Sequence, residues 1–158
     1  MSLFEEQGYQ YRETCFVLFA NENRPSMAAM QSVLEELGDR YVVSDAIEKE
    51  GQFESVCVRC PDDHSAMDIS FVAGEAVVEQ LDEIRGEFQR DALDAEELEK
   101  LDSITQFDSR LDIFHFEQLT AGGPDDGLMD PGAMLVVLQQ LAKLTNGVGV
   151  DAQSETII

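Results

Sequence analysis

The sequence predicts a single α+β domain: a mostly antiparallel sheet with helices on one face, in a two-layer sandwich, and an added C-terminal helix. Three observations carry this. Strand-like and helix-like stretches follow one another as strand, helix, strands, helices, strand, helix, an order that suits an antiparallel or mixed sheet with helices packed on it. The chain's 158 residues can bury a real core, and its 44% hydrophobic content is ordinary for a folded protein. No internal repeat, long linker or low-complexity block breaks the order, so residues 1–158 read as one unit with its core at about 14–145.

The elements follow in turn. After a polar N-terminal arm, Thr14-Cys15-Phe16-Val17-Leu18-Phe19-Ala20 is apolar on both alternating faces, as an interior strand covered on both sides should be. Asn21 to Arg24 make a turn and Pro25 suits a first helical position. Met27, Met30, Val33, Leu34 and Leu37 then recur at helical spacing until Gly38 stops the helix. Tyr41 to Glu48 and Phe53 to Cys60 read as strands joined by a Lys49-Glu50-Gly51 turn. Pro61-Asp62-Asp63-His64 has turn chemistry, and beyond it Met67, Ile69 and Phe71 alternate with Asp68 and Ser70, predicting a strand at 65–72.

From Gly74 the period changes. Val77, Val78, Leu81, Ile84 and Phe88 form a helical stripe, and Asp94 to Glu97 form a capping box for a short helix carrying Leu98, Leu101 and Ile104. Leu111 to Glu117 alternates as a strand. A polar loop, Ala121 to Met129, precedes a helix from Asp130-Pro131 to about Thr145, which Asn146-Gly147 ends. Val148 and Val150 can face Ile157 and Ile158 in a terminal hairpin. Over residues 14–117 this order resembles the ferredoxin-like split βαβ arrangement, with an added strand and the C-terminal helix. The resemblance rests on element order, and that architecture hosts enzymes, ligand sensors and docking modules alike.

Charge narrows the function classes. Thirty-three acidic residues against ten basic ones give a net charge of -23. Such a surface repels phosphate backbones and anionic membranes, which need Lys and Arg to displace counterions, so neither nucleic acid nor membrane is an expected partner. A basic protein partner, a cation or a salty cytoplasm fits better. Met1 to Glu6 carry acids where a secretory signal needs basic residues, and Met134 to Leu138 are too short a run to span a bilayer. Cys15, Cys57 and Cys60 are odd in number and lack a disulfide framework, so a cytoplasmic setting with reduced thiols is expected.

The candidate chemistry is thin. Cys57 and Cys60 with His64 have a spacing that suggests metal or redox use, but on a strand the two thiols point to opposite faces and cannot share a metal. They read as small core residues. His115 alternates in phase with Leu111 and Ile113, which places it half-buried in the sheet rather than at a catalytic centre. Asp62, Asp63 and His64 on one turn, with Asp125, Asp126 and Asp130 on another, are the candidate ligands for a divalent cation. The spacing of a calcium loop is absent, and Pro-Asp-Asp-Gly is in itself a good turn sequence. Neither glycine cluster, Gly122-Gly123 or Gly147-Val148-Gly149, has a nucleotide-binding pattern, and no cofactor is expected.

The leading expectation is therefore a non-catalytic interaction or regulatory domain. A pocket holding His64 or His115 with a perturbed pKa would argue against it. The alternative is an acidic protein that neutralises a basic partner, as an immunity protein or nucleic-acid mimic does, which requires its carboxylates to be concentrated on one face. A metal-assisted enzyme built on the two acidic turns is a further alternative and requires those turns to meet. A homodimer through a sheet edge or face is compatible with a small sheet that needs cover.

Overall fold

In the computed structural model, residues 7–119, 132–151 and 156–158 are described. The first strand, β1 (Tyr9–Phe19), starts earlier than the apolar run that signals it. Its first half alternates polar and aromatic side chains yet pairs with the strand at 109–118, Tyr9 opposite Gln118, with a register shift between Tyr11 and Glu13, so part of the expected N-terminal arm is strand. α1 (Met27–Glu36) is capped by Ser26, whose Oγ accepts from the Ala29 N–H at 3.0 Å, so Pro25 lies just outside the helix.

β2 (Val42–Lys49) and β3 (Gln52–Cys60) meet at Glu50-Gly51, with φ of 53° and 83°. Two left-handed residues give the turn whose twist matches its flanking strands. A 3-10 turn, Pro61–Asp63, leads through His64 into β4 (Ser65–Ala73). α2 (Glu75–Glu87) follows. The capping box of α3 (Ala95–Ser103) is complete: Asp94 accepts from the Glu97 N–H at 2.8 Å, and Glu97 accepts from the Asp94 N–H at 3.1 Å. β5 (Ser109–Gln118), α4 (Gly132–Thr145), β6 (Val148–Asp151) and β7 (Thr156–Ile157) complete the order. The Ala121–Met129 loop and the expected helix start at Asp130-Pro131 lie outside the described residues.

All seven strands join one sheet in the order β2-β3-β4-β5-β1-β6-β7, and every neighbouring pair is antiparallel. β1 and β2 point the same way because three strands stand between them, which is why α1, rather than a hairpin, connects them. This sheet is larger than the two-layer, split βαβ expectation. The helices also depart from it, because they pack on both faces. Cys15, Val17 and Phe19 of β1 join α1 and α4 in the main core, whereas Leu18 joins α2 and α3 with Val148 and Val150. The cause lies in β1 itself: a strand apolar on both faces needs cover on both. At the outer edge β2 is irregular, with register breaks either side of Ile47 and a φ of 53° at Asp45.

α4 ends in a Schellman motif. The Gly147 N–H reaches the Ala142 carbonyl at 2.9 Å, the Asn146 N–H reaches the Lys143 carbonyl at 3.3 Å, and Asn146 is left-handed at φ 52°. Gly147 then presses on β1: a Cβ there would lie 2.3 Å from the Leu18 carbonyl oxygen.

Candidate interaction surface

The expected ligand cluster does not assemble among the described residues. Asp62 is exposed, while Asp63 is buried with its carboxylate committed to Arg40. His64 is left-handed at φ 52° and continues the backbone ladder, its carbonyl accepting from the Gln118 N–H at 2.9 Å. Asp125, Asp126 and Asp130 lie outside the described residues. Among the described residues, no group of three or more His, Cys, Asp or Glu side chains is placed to hold a metal.

The cysteines behave as strand parity requires. Cys60 sits in the main core and Cys57 in a small cluster with Ala66 and Phe116 on the opposite face. Burial pushes their thiols up, Cys57 to about 11 and Cys60 to about 12, which keeps both protonated and unreactive near neutrality. Burial also raises the thiol of Cys15, whose Sγ lies 3.5 Å from the Met134 sulfur.

His115 is more deeply placed than expected, fully enclosed rather than half-buried. The cause is its row in the sheet, where it stands between Met67 of β4 and Glu13 of β1 on the face that carries the main core. Its Nε2 is 2.7 Å from Ser65 Oγ and its Nδ1 is 3.6 Å from Glu13 Oε1. Desolvation lowers its pKa to about 4, so the ring is neutral at pH 7. Burial and the neighbouring Asp151 carboxylate raise Glu13. Serine, histidine and glutamate in a row have the order of a hydrolytic relay, but the Ser65 residue is only 1% exposed and the second gap exceeds hydrogen-bond distance. This is a core polar network. Sequence reading missed Ser65 and Glu13 although both keep the period of their strands, Ser65 in step with Met67 and Glu13 with Cys15.

The surface carries the stronger signal. Every arginine of the chain is engaged with a carboxylate: Arg12 with Glu117, Arg24 with Glu54, Arg40 with Asp63, Arg59 with Asp45, Arg85 and Arg90 with Asp102, and Arg110 with Asp112. The remaining acids dominate the layer formed by α2, the 3-10 turn Arg90–Ala92 and α3. Its exposed carboxylates are Glu75, Glu79, Asp82, Glu83, Glu87, Asp91, Asp94, Glu96 and Glu99. The cations in this layer turn inward on it: Arg85 and Arg90 hold Asp102 at 3.1 and 2.7 Å, and Lys100 stands 3.8 Å from Glu96. Hydrogen bonds from Arg90 and then Arg85 hold the Asp102 carboxyl below the usual range. Val78, expected on the apolar stripe of α2, instead points away from the core that Val77, Leu81 and Ile84 face: it is 48% exposed among these acids, with Glu75 and Asp82 one helical turn to either side. Further exposed acids, Glu35, Glu36, Asp39, Asp45, Glu48 and Glu50, lie on and after α1 and along β2 and its turn.

The fold and surface define a class no narrower than an acidic α+β protein with a seven-stranded antiparallel sheet. Comparison with protein-family models, curated proteins and solved structures returns no match. Among the described residues, no helix is long and apolar enough to cross a membrane.

Proposed function

We propose that the protein is a non-catalytic interaction domain whose α2–α3 layer docks against a basic protein surface. One observation carries the reading: this layer exposes a run of carboxylates around Val78 while its two arginines are spent on Asp102. An apolar centre rimmed by one sign of charge is the anatomy of a protein-binding patch. The field of such a rim speeds encounter with a cationic partner and selects against acidic ones.

A synthetic amphipathic Lys/Leu peptide tests this, with amide shifts as the readout. Shifts are expected on α2 and α3, with affinity falling as salt rises. The double variant Glu79→Lys/Glu83→Lys is expected to lose about tenfold in affinity, on the order of 1.4 kcal/mol. Glu35→Lys/Glu36→Lys makes the same change in net charge on α1 and should bind nearly as the parent does. Equal losses in both variants would assign binding to the overall charge and overturn the reading.

A further inference from the structure

In a chain of net charge -23 with every arginine engaged with a carboxylate, the other side-chain cations are Lys49, Lys100 and Lys143, of which Lys100 is loosely paired with Glu96 at 3.8 Å. Lys49 lies at the end of β2 beside the β2–β3 turn. The other two converge. Lys100 of α3 and Lys143 of α4 line one groove of about 390 Å³ where the two helical layers meet at the β6–β7 end of the sheet. That volume lies within the range of about 300–1,000 Å³ typical of small-molecule sites.

The walls divide by chemistry. Gln139 and Lys143, one turn apart on α4, and Asn146 just past its end supply polar wall, while Ala142 and Ile158 supply apolar wall. Lys100 stands 3.8 Å from the exposed Glu96, too far for a hydrogen bond, so its ammonium keeps its donors for another partner. A helix C-terminus ordinarily repels anions through its unpaired carbonyls. Here that field is blunted. The Schellman bonds occupy the Ala142 and Lys143 carbonyls, and Thr145 Oγ1 donates to the Leu141 carbonyl at 2.8 Å.

We propose that this groove binds a small organic molecule carrying an oxyanion, a carboxylate or a phosphate, on an apolar body. The two ammonium groups meet the charge, the amides of Gln139 and Asn146 orient it, and Ala142 and Ile158 cover the body. Lysines suit this task as point charges that accept either oxyanion without a fixed fork geometry. The chain's overall negative charge does not prevent binding at about 0.15 M salt, because a Debye length of about 8 Å screens distant carboxylates more than the two groove cations. The site is independent of the basic-partner reading, which rests on the carboxylates of the α2–α3 layer.

Phenyl phosphate and benzoate are the probes, benzyl alcohol is the neutral control, and amide shifts at about 0.15 M salt are the readout. Saturable shifts at Gln139, Lys143, Asn146 and Gly147 are expected with at least one anionic probe and not with the alcohol. Saturation by only one of the two tells phosphate from carboxylate. Lys100→Gln/Lys143→Gln should weaken binding at least about fivefold, roughly 1 kcal/mol, with an unchanged unfolding midpoint, while Lys49→Gln binds as the parent. The proposal is overturned by no saturation with either probe up to about 50 mM, by equal binding of the alcohol, or by a smaller loss in the double variant.

Discussion

His115 shows how a single ring sets a pH dependence. Its folded pKa is about 4 against an ordinary 6.5, because burial penalises the charged ring. Between those values the unfolded chain holds a proton that the folded one does not, so stability falls as pH drops from 6.5 toward 4 and this contribution levels off below. Glu13 and Asp112, both raised by burial, act with the opposite sign: the fold takes up their protons before the unfolded chain does and gains stability as pH falls. The His115→Gln variant separates these effects, since its amide can still meet Ser65. Urea midpoints measured from pH 7 to 4 should fall less steeply in the variant than in the parent; parallel curves would show that His115 does not set the slope. At this scale the sequence was partly legible. Parity separated Cys57 from Cys60 with no knowledge of the fold. The Ser65–His115–Glu13 contacts were not legible, because they exist only once β1 and β4 flank β5, and no local period encodes which strands are neighbours.

At the scale of elements, hydrophobic period did most of the work. The strand at 65–72, the stripe on α2 apart from the exposed Val78, and the Asp94 capping box were readable because each is decided within one or two turns of chain. The start of β1 was not, since Tyr9 to Glu13 owe their strand state to pairing with β5 rather than to their own polarity. The face taken by each helix was missed for a related reason: β1, apolar on both sides, already called for two covers, but element order alone suggested one. The join between α4 and β6 offers a sharp test. Gly147→Ala places a methyl 2.3 Å from the Leu18 carbonyl oxygen and 2.9 Å from the Phe19 Cβ, both on a central strand that cannot retreat. A loss of about 1–3 kcal/mol is expected from chemical denaturation. A neutral substitution would mean that β6 slides outward at little cost.

For the whole molecule, composition announced the sign of the surface and the structure shows which of the described carboxylates are exposed and which meet arginines. Charge of one sign in excess destabilises the folded state through self-repulsion. Raising salt from about 0.01 to 1 M shortens the Debye length from about 30 to 3 Å, so thermal stability should rise over this range. Scanning calorimetry in sodium chloride checks it, with a choline salt to separate screening from specific ion binding. A flat response would mean that the carboxylates stand far enough apart to ignore one another. The sequence could count the acids but could not assign them, because which carboxylates meet arginines depends on contacts across the fold, such as Arg12 with Glu117.

The irregular outer strand has a consequence for how copies of the chain behave when crowded. An exposed strand edge is a template on which another chain can add, the first step toward a fibre. β2 guards against it twice, by the carboxylates of Asp45 and Glu48 and by a backbone that loses its register either side of Ile47. Acid can neutralise the first guard but not the second. The broken register denies an incoming strand a continuous ladder at any pH, so protection against templated growth is written into the shape of the backbone and does not depend on its charge.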